Sequence, residues 1–169
     1  KVVAIDGSAF ANYSGDAYAK AIAEQVKANG AAAVLMAHTA MGKDLLPRVA
    51  ALLDGSVLTD TVELAFAGGA FTAKKPVFAG KATMTAKSAK LPFCATLRPN
   101  NFAPATGGSG AAVQKVAAPG GDLLAVVKEI IAAGGGKIPL QEAKVVVAGG
   151  RGLKEAQHFK LVEDLAAAF

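Results

Sequence analysis

The sequence predicts an α/β protein: a three-layer α/β/α domain whose mostly parallel sheet is extended by antiparallel strands, followed by the first strand–helix unit of a second, Rossmann-like domain. Three observations predict it. Short continuous apolar runs, at Lys1–Ile5 (KVVAI), Ala31–Ala37 (AAAVLMA) and Val145–Val147, are what strands buried on both faces look like. The segment between the first two has apolar residues at helical spacing, so the three together make a parallel, right-handed strand–helix–strand unit. From Thr61 onward, period-two alternation and paired glycines indicate hairpins instead.

In the first helix, Ser14 is the expected cap, Asp16 complements the N-terminal dipole, and Tyr18, Ile22 and Val26 form the apolar stripe; Gly30 ends it. A second helix is expected within Gly42–Asp54, with Leu45, Leu46, Val49, Leu52 and Leu53 on one face and Gly55 at its end. Pro47 is tolerated in a first turn, which makes Asp44 the expected cap; with a start nearer Ala40, Pro47 is expected to kink the helix. Arg48 is read as structural, paired with Asp44 at i, i+4.

Thr61–Phe66 and Phe71–Lys75 flank Gly68-Gly69 as a hairpin, and Val77–Lys87 alternates around Gly80. Leu91–Leu97 gives a further strand with Pro92 near its start or at an edge, and all are expected to be antiparallel additions to the parallel core. Arg98–Ala112 is a surface loop pinned by Phe102. Gly121–Ala133 reads as a helix stopped by Gly134–Gly136. The expected organisation is therefore a partial N-terminal domain over 1–136, a linker at 137–143, and the start of a second domain over 144–169.

Composition excludes several classes. The 53% hydrophobic content and mean hydropathy of +0.38 come from short Ala, Val and Leu runs, none near the roughly 20 residues of a membrane span. The net charge of +5 is scattered lysine without an aromatic ladder, which reads as a solvated surface rather than a nucleic-acid interface. The single cysteine, Cys94, rules out an internal disulfide and is expected in the core. No metal-ligand cluster, paired acid–base carboxylates or catalytic residue is apparent, and His38, beyond the second strand, has no nucleophile or carboxylate nearby in sequence. The chain begins at Lys1 rather than methionine and stops in a helix whose apolar face calls for a sheet, so it is expected to be a piece of a longer protein.

The richest stretch is 143–165, AKVVVAGGRGLKEAQHFKLVEDL. A strand leads to Gly149-Gly150-Arg151-Gly152 and then to a helix with Phe159, Val162, Leu165 and Ala166 on one face. Amides at a helix start lack intrahelical partners and attract anions, glycine admits a phosphate closely, and Arg151 adds a planar fork of donors. The run is neither GxGxxG nor a P-loop.

VVVAGGRGLK with HFKLVEDLA, together with Gly42–Leu53 (GKDLLPRVAALL) and Pro76–Lys87 (PVFAGKATMTAK) in the same order, resembles the electron-transfer flavoprotein α subunit. The resemblance covers the later part of that family's first domain and the opening of its FAD-binding domain. It implies an FAD-dependent electron carrier rather than a catalyst, paired with a β subunit and passing electrons from flavin dehydrogenases to a quinone-reducing acceptor, as in fatty acid β-oxidation. Composition without a targeting segment suggests a bacterial cytoplasmic protein, or a mitochondrial matrix protein if eukaryotic, with no membrane insertion. The resemblance places Arg151 at FAD, with Gly149, Gly150 and Gly152 shaping the turn, and makes Arg98 and Phe102 candidates for the partner-subunit contact. The family commonly has Ser before the Gly-Gly pair; Ala148 stands here. Later FAD-binding segments are absent, so this stretch alone is expected to hold FAD poorly. The alternative readings are a stand-alone adenine-nucleotide-binding module without flavin, using Asp6, Ser8 and His38, and a purely structural partner-binding domain.

Overall fold

The computed structural model describes residues 1–108, 110–120, 125, 127–129, 138, 140 and 142–169. It divides into two compact units, Lys1–Glu129 and Ile130–Phe169. Strands and helices mix in the first as the sequence predicts, with parallel ladders at the core and antiparallel strands beside them.

Strand β1 (Val2–Asp6) leads to helix α1 (Gly15–Asn29), capped by Ser14 Oγ accepting from Ala17 N–H and ended by Gly30 at φ 58°. Four alanines, Ala17, Ala19, Ala21 and Ala23, are the buried positions of α1, while Tyr18, Ile22 and Val26 cover the edge of the core. Small side chains on that face let a neighbouring helix approach closely. Strand β2 (Ala33–Ala37) follows, then helix α2 (Ala40–Leu53). The cap of α2 is Thr39, whose Oγ accepts from Gly42 N–H, and not Asp44; the helix runs continuously through Pro47. Asp44 lies inside the helix, its carboxylate bonded to Tyr13 and Arg48. Pro47 is tolerated because it lies on the exposed side of the helix, where water can reach the carbonyl its missing N–H would have served. Asp54, at φ 48°, takes the left-handed position that ends α2 one residue before Gly55.

Strand β3 (Ser56–Thr61) was not legible in the sequence, because its polar SVLTDT lacks an apolar run. It pairs in parallel with β7 (Phe93–Leu97), as does β2 on the other side, so β7 is the central strand. This corrects the reading of Leu91–Leu97 as an antiparallel addition. The first four residues of β7 are all buried, as expected of a strand covered on both faces. Cys94 joins the cluster of Leu45, Leu46 and Val49 on one face, while Phe93 and Ala95 join Ala73 on the other.

That second face receives an antiparallel sheet of β4 (Glu63–Ala67), β5 (Ala70–Val77) and β6 (Ala82–Ser88), in the order β4-β5-β6. Glu63 and Lys74 are register partners and form an ion pair of 2.8 Å. Phe71 stacks on Phe93 with ring centroids 4.8 Å apart. The stretch Val77–Lys87 is thus the end of β5, a turn at Gly80, and β6. Strand β8 (Val113–Ala117), also missed in the sequence because Gln114 and Lys115 interrupt it, pairs in parallel with β1. The loop between β7 and β8 is largely exposed, as expected. Apart from 125 and 127–129, the expected helix over 121–133 lies outside the described residues, as do the glycine run at 134–136 and much of 137–143.

In the second unit, the expected strand Val145–Val147 does not form: these residues are irregular, and Val145 and Val146 are each 55% exposed. A parallel strand is stable only beside another, and no strand is present among the described residues of this unit. After the glycine turn come two short 3₁₀ segments, Arg151–Leu153 and Ala156–Phe159, and then helix α3 (Lys160–Ala167). The helix therefore starts several residues later than the apolar spacing suggests. Among the described residues, no helix is long and apolar enough to cross a membrane.

Candidate functional site

The glycine turn is shaped by packing on one side and openness on the other. A Cβ on Gly149 would lie 2.5 Å from Leu153 Cδ1 and 2.8 Å from Val162 Cγ2, so glycine lets the turn close onto α3 without moving those side chains. Gly150 and Gly152 meet nothing within 4 Å, leaving their backbone open to a ligand. Leu153 N–H bonds the Gly150 carbonyl at 3.0 Å, and Lys154, at φ 65°, follows. No hydrogen bond among the described residues engages the Arg151 or Gly152 N–H, and the Arg151 side chain is exposed. His158 Nδ1 lies 2.7 Å from the Leu153 carbonyl; a carbonyl only accepts, so the ring carries its proton on Nδ1 there. The turn is thus a 3₁₀ corner rather than the mouth of an α-helix, and its anion-attracting capacity rests on free amides and the Arg151 guanidinium, not on a long helix dipole.

In the first unit, the carboxyl ends of β2, β7 and β3 gather a second constellation. His38 Nδ1 lies 2.8 Å from Thr96 Oγ1, and His38 Nε2 lies 3.7 Å from Asp60 Oδ1. Arg98 grips Asp60 with both arms, Nε at 2.8 Å and Nη2 at 2.6 Å. Local sequence offered His38 no carboxylate; the fold supplies one 22 positions later. Asp60 sits at φ 62° where the β3–β7 register shifts, which a sequence signal would not mark beyond Asp's tolerance of that conformation. Arg98 holds Asp60's carboxyl below the usual carboxylate range, and burial pushes His38's pKa down. Cys94, buried in the core, has its thiol pushed up by burial, which suits a structural residue rather than a nucleophile. Asp6 ends β1, in the two-stranded sheet with β8, and no hydrogen bond or ion pair among the described residues joins Asp6 or Ser8 to His38.

The third polar group is Tyr13, whose hydroxyl donates to Asp44 at 2.7 Å while Arg48 holds the other carboxylate oxygen. Burial first, and the Asp44 hydrogen bond second, push the Tyr13 phenol up to about 12. A raised pKa favours the protonated phenol, so its contribution to stability is whole below about pH 10 and is lost as pH rises towards 12. Ultraviolet titration should show a late-ionising phenol that disappears in Tyr13→Phe; an unchanged late component in that variant would refute the assignment. No group of three or more His, Cys, Asp or Glu among the described residues could hold a metal ion.

Parallel strands backed by helices define an α/β protein, and an exposed glycine–arginine turn with open amides follows in the chain. Residues 1–120 match the electron transfer flavoprotein domain, and residues 139–169 match the electron transfer flavoprotein FAD-binding domain. The chain belongs to the electron transfer flavoprotein family. It is 31% identical to the electron transfer flavoprotein subunit alpha of Bacillus subtilis, across 98% of this chain and 52% of the relative. The corresponding subunit of Pseudomonas aeruginosa is 37% identical, again across 98% of this chain and 52% of the relative. A probable mitochondrial subunit alpha of Caenorhabditis elegans is 37% identical across 79% of this chain and 40% of the relative. The chain spans about half the length of the curated relatives it matches.

Proposed function

We propose that this chain is part of an electron transfer flavoprotein α subunit that carries electrons on FAD, as a heterodimer with a β subunit, between flavin dehydrogenases and a quinone-reducing acceptor. The observation that carries this reading is the succession of two domain matches in one chain, the second spanning the Gly149–Gly152 turn. Residues 1–136 are the later part of a first domain, 137–143 the connector, and 144–169 the opening of the FAD-binding domain. The protein is a carrier rather than a catalyst, working in fatty acid β-oxidation, in a bacterial cytoplasm or a mitochondrial matrix.

The turn fits the cofactor. Gly150 and Gly152 leave the backbone approachable, the Arg151 and Gly152 amides are free to donate, and Arg151 projects an exposed guanidinium. FAD supplies the redox chemistry, accepting and releasing electrons at its ring system. The chain's own contribution is a fixed cation and two amide donors at one corner of the cofactor, with Gly149 holding that corner against α3. A permanent positive charge beside the cofactor favours its more negative, reduced form.

The test is the full-length α subunit purified with its β partner. The pair is expected to be yellow, and Arg151→Ala to weaken FAD retention by about tenfold, the scale of losing a charge-assisted hydrogen bond. A colourless pair after reconstitution with FAD, or AMP or ATP bound in its place, would overturn the reading; unchanged retention and potential in Arg151→Ala would remove Arg151 from the site.

A further inference from the structure

The polar cluster where β2, β7 and β3 end is a chain of hydrogen bonds, Asp60 N–H to Thr96 Oγ1 to His38 and Arg98 to Asp60, with the His38 ring approaching Asp60 Oδ1 at the longer distance of 3.7 Å. The Asp60 N–H donates to Thr96 Oγ1 at 3.0 Å. Thr96 is fully buried, and His38 Nδ1, at 2.8 Å, is the acceptor its own hydroxyl proton can reach. With the Thr96 hydroxyl donating in this direction, Nδ1 is bare and the ring proton is on Nε2, facing Asp60 Oδ1 at 3.7 Å. Asp60 Oδ1 is also the oxygen that Arg98 Nε holds at 2.8 Å. Backbone bonds tie the same residues together: His38 N–H to the Leu97 carbonyl at 2.7 Å, and Arg98 N–H to the Thr61 carbonyl at 2.8 Å.

We propose that His38, Thr96, Asp60 and Arg98 form a proton-operated latch. A proton taken up at His38 Nδ1 removes the acceptor of the Thr96 hydroxyl and makes His38 a cation competing with Arg98 for Asp60 Oδ1. What loosens is the Arg98 Nε contact, while Nη2 keeps Oδ2 at 2.6 Å, and this guanidinium lies beside an open hollow that Leu35, Met36, Leu97, Pro99 and Phe102 line. The latch therefore couples protonation to the start of the loop after β7, independently of how the chain handles FAD.

The surroundings set the direction. Lys43 at the start of α2, Lys75 on β5 and Arg98 after β7 oppose a positive His38, and burial opposes it most; Asp60 alone favours it. His38 is thus neutral in the folded chain at neutral pH. With its pKa lowered below the ordinary value of about 6.5, its contribution to stability is whole above that pH and is lost as pH falls below it. Asp60, held low by Arg98, stays ionised through this range, so His38 is the member of the cluster that switches.

The experiment is nitrogen-15 NMR on the whole chain between pH 8 and pH 5. At pH 8 the His38 ring is expected as the Nε2–H tautomer. On acidification, the Asp60 amide and Arg98 Nε–H signals should move with the His38 midpoint, below about 6.5, and Arg98 Nε–H exchange should speed about tenfold beyond its intrinsic pH dependence. His38→Asn, which offers Thr96 a non-titrating acceptor, should flatten both signals. His158, the chain's other histidine, is unchanged in His38→Asn, so the variant assigns the ring signals. An Nδ1–H tautomer at pH 8, Asp60 and Arg98 signals that ignore the His38 midpoint, or the same titration surviving in His38→Asn would each overturn the latch. The tautomer and midpoints are read on the unsubstituted chain, so a variant that fails to fold leaves the proposal testable.

Discussion

Leu46→Ala is expected to lower the unfolding free energy of the first unit by about 2–5 kcal/mol, the range for truncating a buried leucine whose surroundings relax only in part. Leu46 is 0% exposed, with Val49, Ala50 and Leu45 beside it on α2 and Ala19, Val34 and Cys94 in the same cluster. It is where α1, α2 and the sheet meet, so its cavity has walls on three elements and little freedom to collapse. Both tyrosines, Tyr13 and Tyr18, belong to this unit and the chain has no tryptophan, which makes tyrosine fluorescence in urea a local probe. Cys94, fully buried and the sole cysteine, gives a second: its labelling by a thiol reagent requires opening, and a loss of 2 kcal/mol or more should speed it by roughly thirtyfold or more. Leu52→Ala is the control, at a leucine 47% exposed, with an expected cost below about 1 kcal/mol. Equal losses in the two variants would mean that the cluster around Leu46 is not the core.

What the sequence disclosed of this core was whatever local chemistry announces. Ser14 and Gly30 bracket α1 because a cap oxygen and a left-handed glycine act within a turn of the helix. The apolar face of α2 was legible for the same reason, and the Asp44–Arg48 pair follows from i, i+4 spacing. The strands that failed to show themselves are those stabilised by neighbours rather than by their own pattern. β3 is mostly polar and holds its place by pairing with β7, and β8 by pairing with β1. β7 was seen but set in the wrong direction, since strand direction is a property of the crossover and the partners, not of FCATL itself. The converse holds at Val145–Val147, a good strand pattern with no neighbouring strand among the described residues of its unit.

The candidate sites divide along the same line. The Gly149–Gly152 turn is contiguous, so its residues could be singled out from the sequence, although its 3₁₀ geometry could not. The cluster of His38, Asp60, Thr96 and Arg98 is assembled from three strand ends, with His38 and Thr96 58 positions apart. Only the parallel register that brings Ala37 opposite Leu97 puts those side chains within reach. His38 looked isolated because its partners are neighbours in the sheet and strangers in the chain.

That register also explains why Gly42→Ala should be destabilising, against the usual rule. Glycine within a helix ordinarily costs about 0.5–1 kcal/mol relative to alanine, so the substitution normally helps. Here an added Cβ would sit 2.0 Å from the Ala37 carbonyl oxygen and 3.2 Å from its carbon, both backbone atoms that cannot swing aside. The carbonyl is held in turn by the Thr39 N–H at 2.8 Å, and the Gly42 N–H is the one that Thr39 Oγ1 caps. Relief requires lifting the first turn of α2 off the end of β2, which breaks the cap and draws Leu45 and Leu46 out of register with the sheet. The expected loss is about 1–3 kcal/mol or more, from overpacking against a rigid neighbour. Gly15→Ala makes the comparison fair, because its Cβ would approach the tips of Asp44 and Arg48, 2.8 Å and 3.1 Å away, which are exposed side chains able to move. That variant should stay within about 0.5 kcal/mol of the parent. Urea midpoints followed by tyrosine fluorescence and far-ultraviolet circular dichroism would decide it: a Gly42→Ala protein as stable as Gly15→Ala would show that α2 does not rest on the end of β2. Because His38 and Thr39 connect the two, displacement of α2 should also move His38 from Thr96 and raise the His38 midpoint towards its ordinary value.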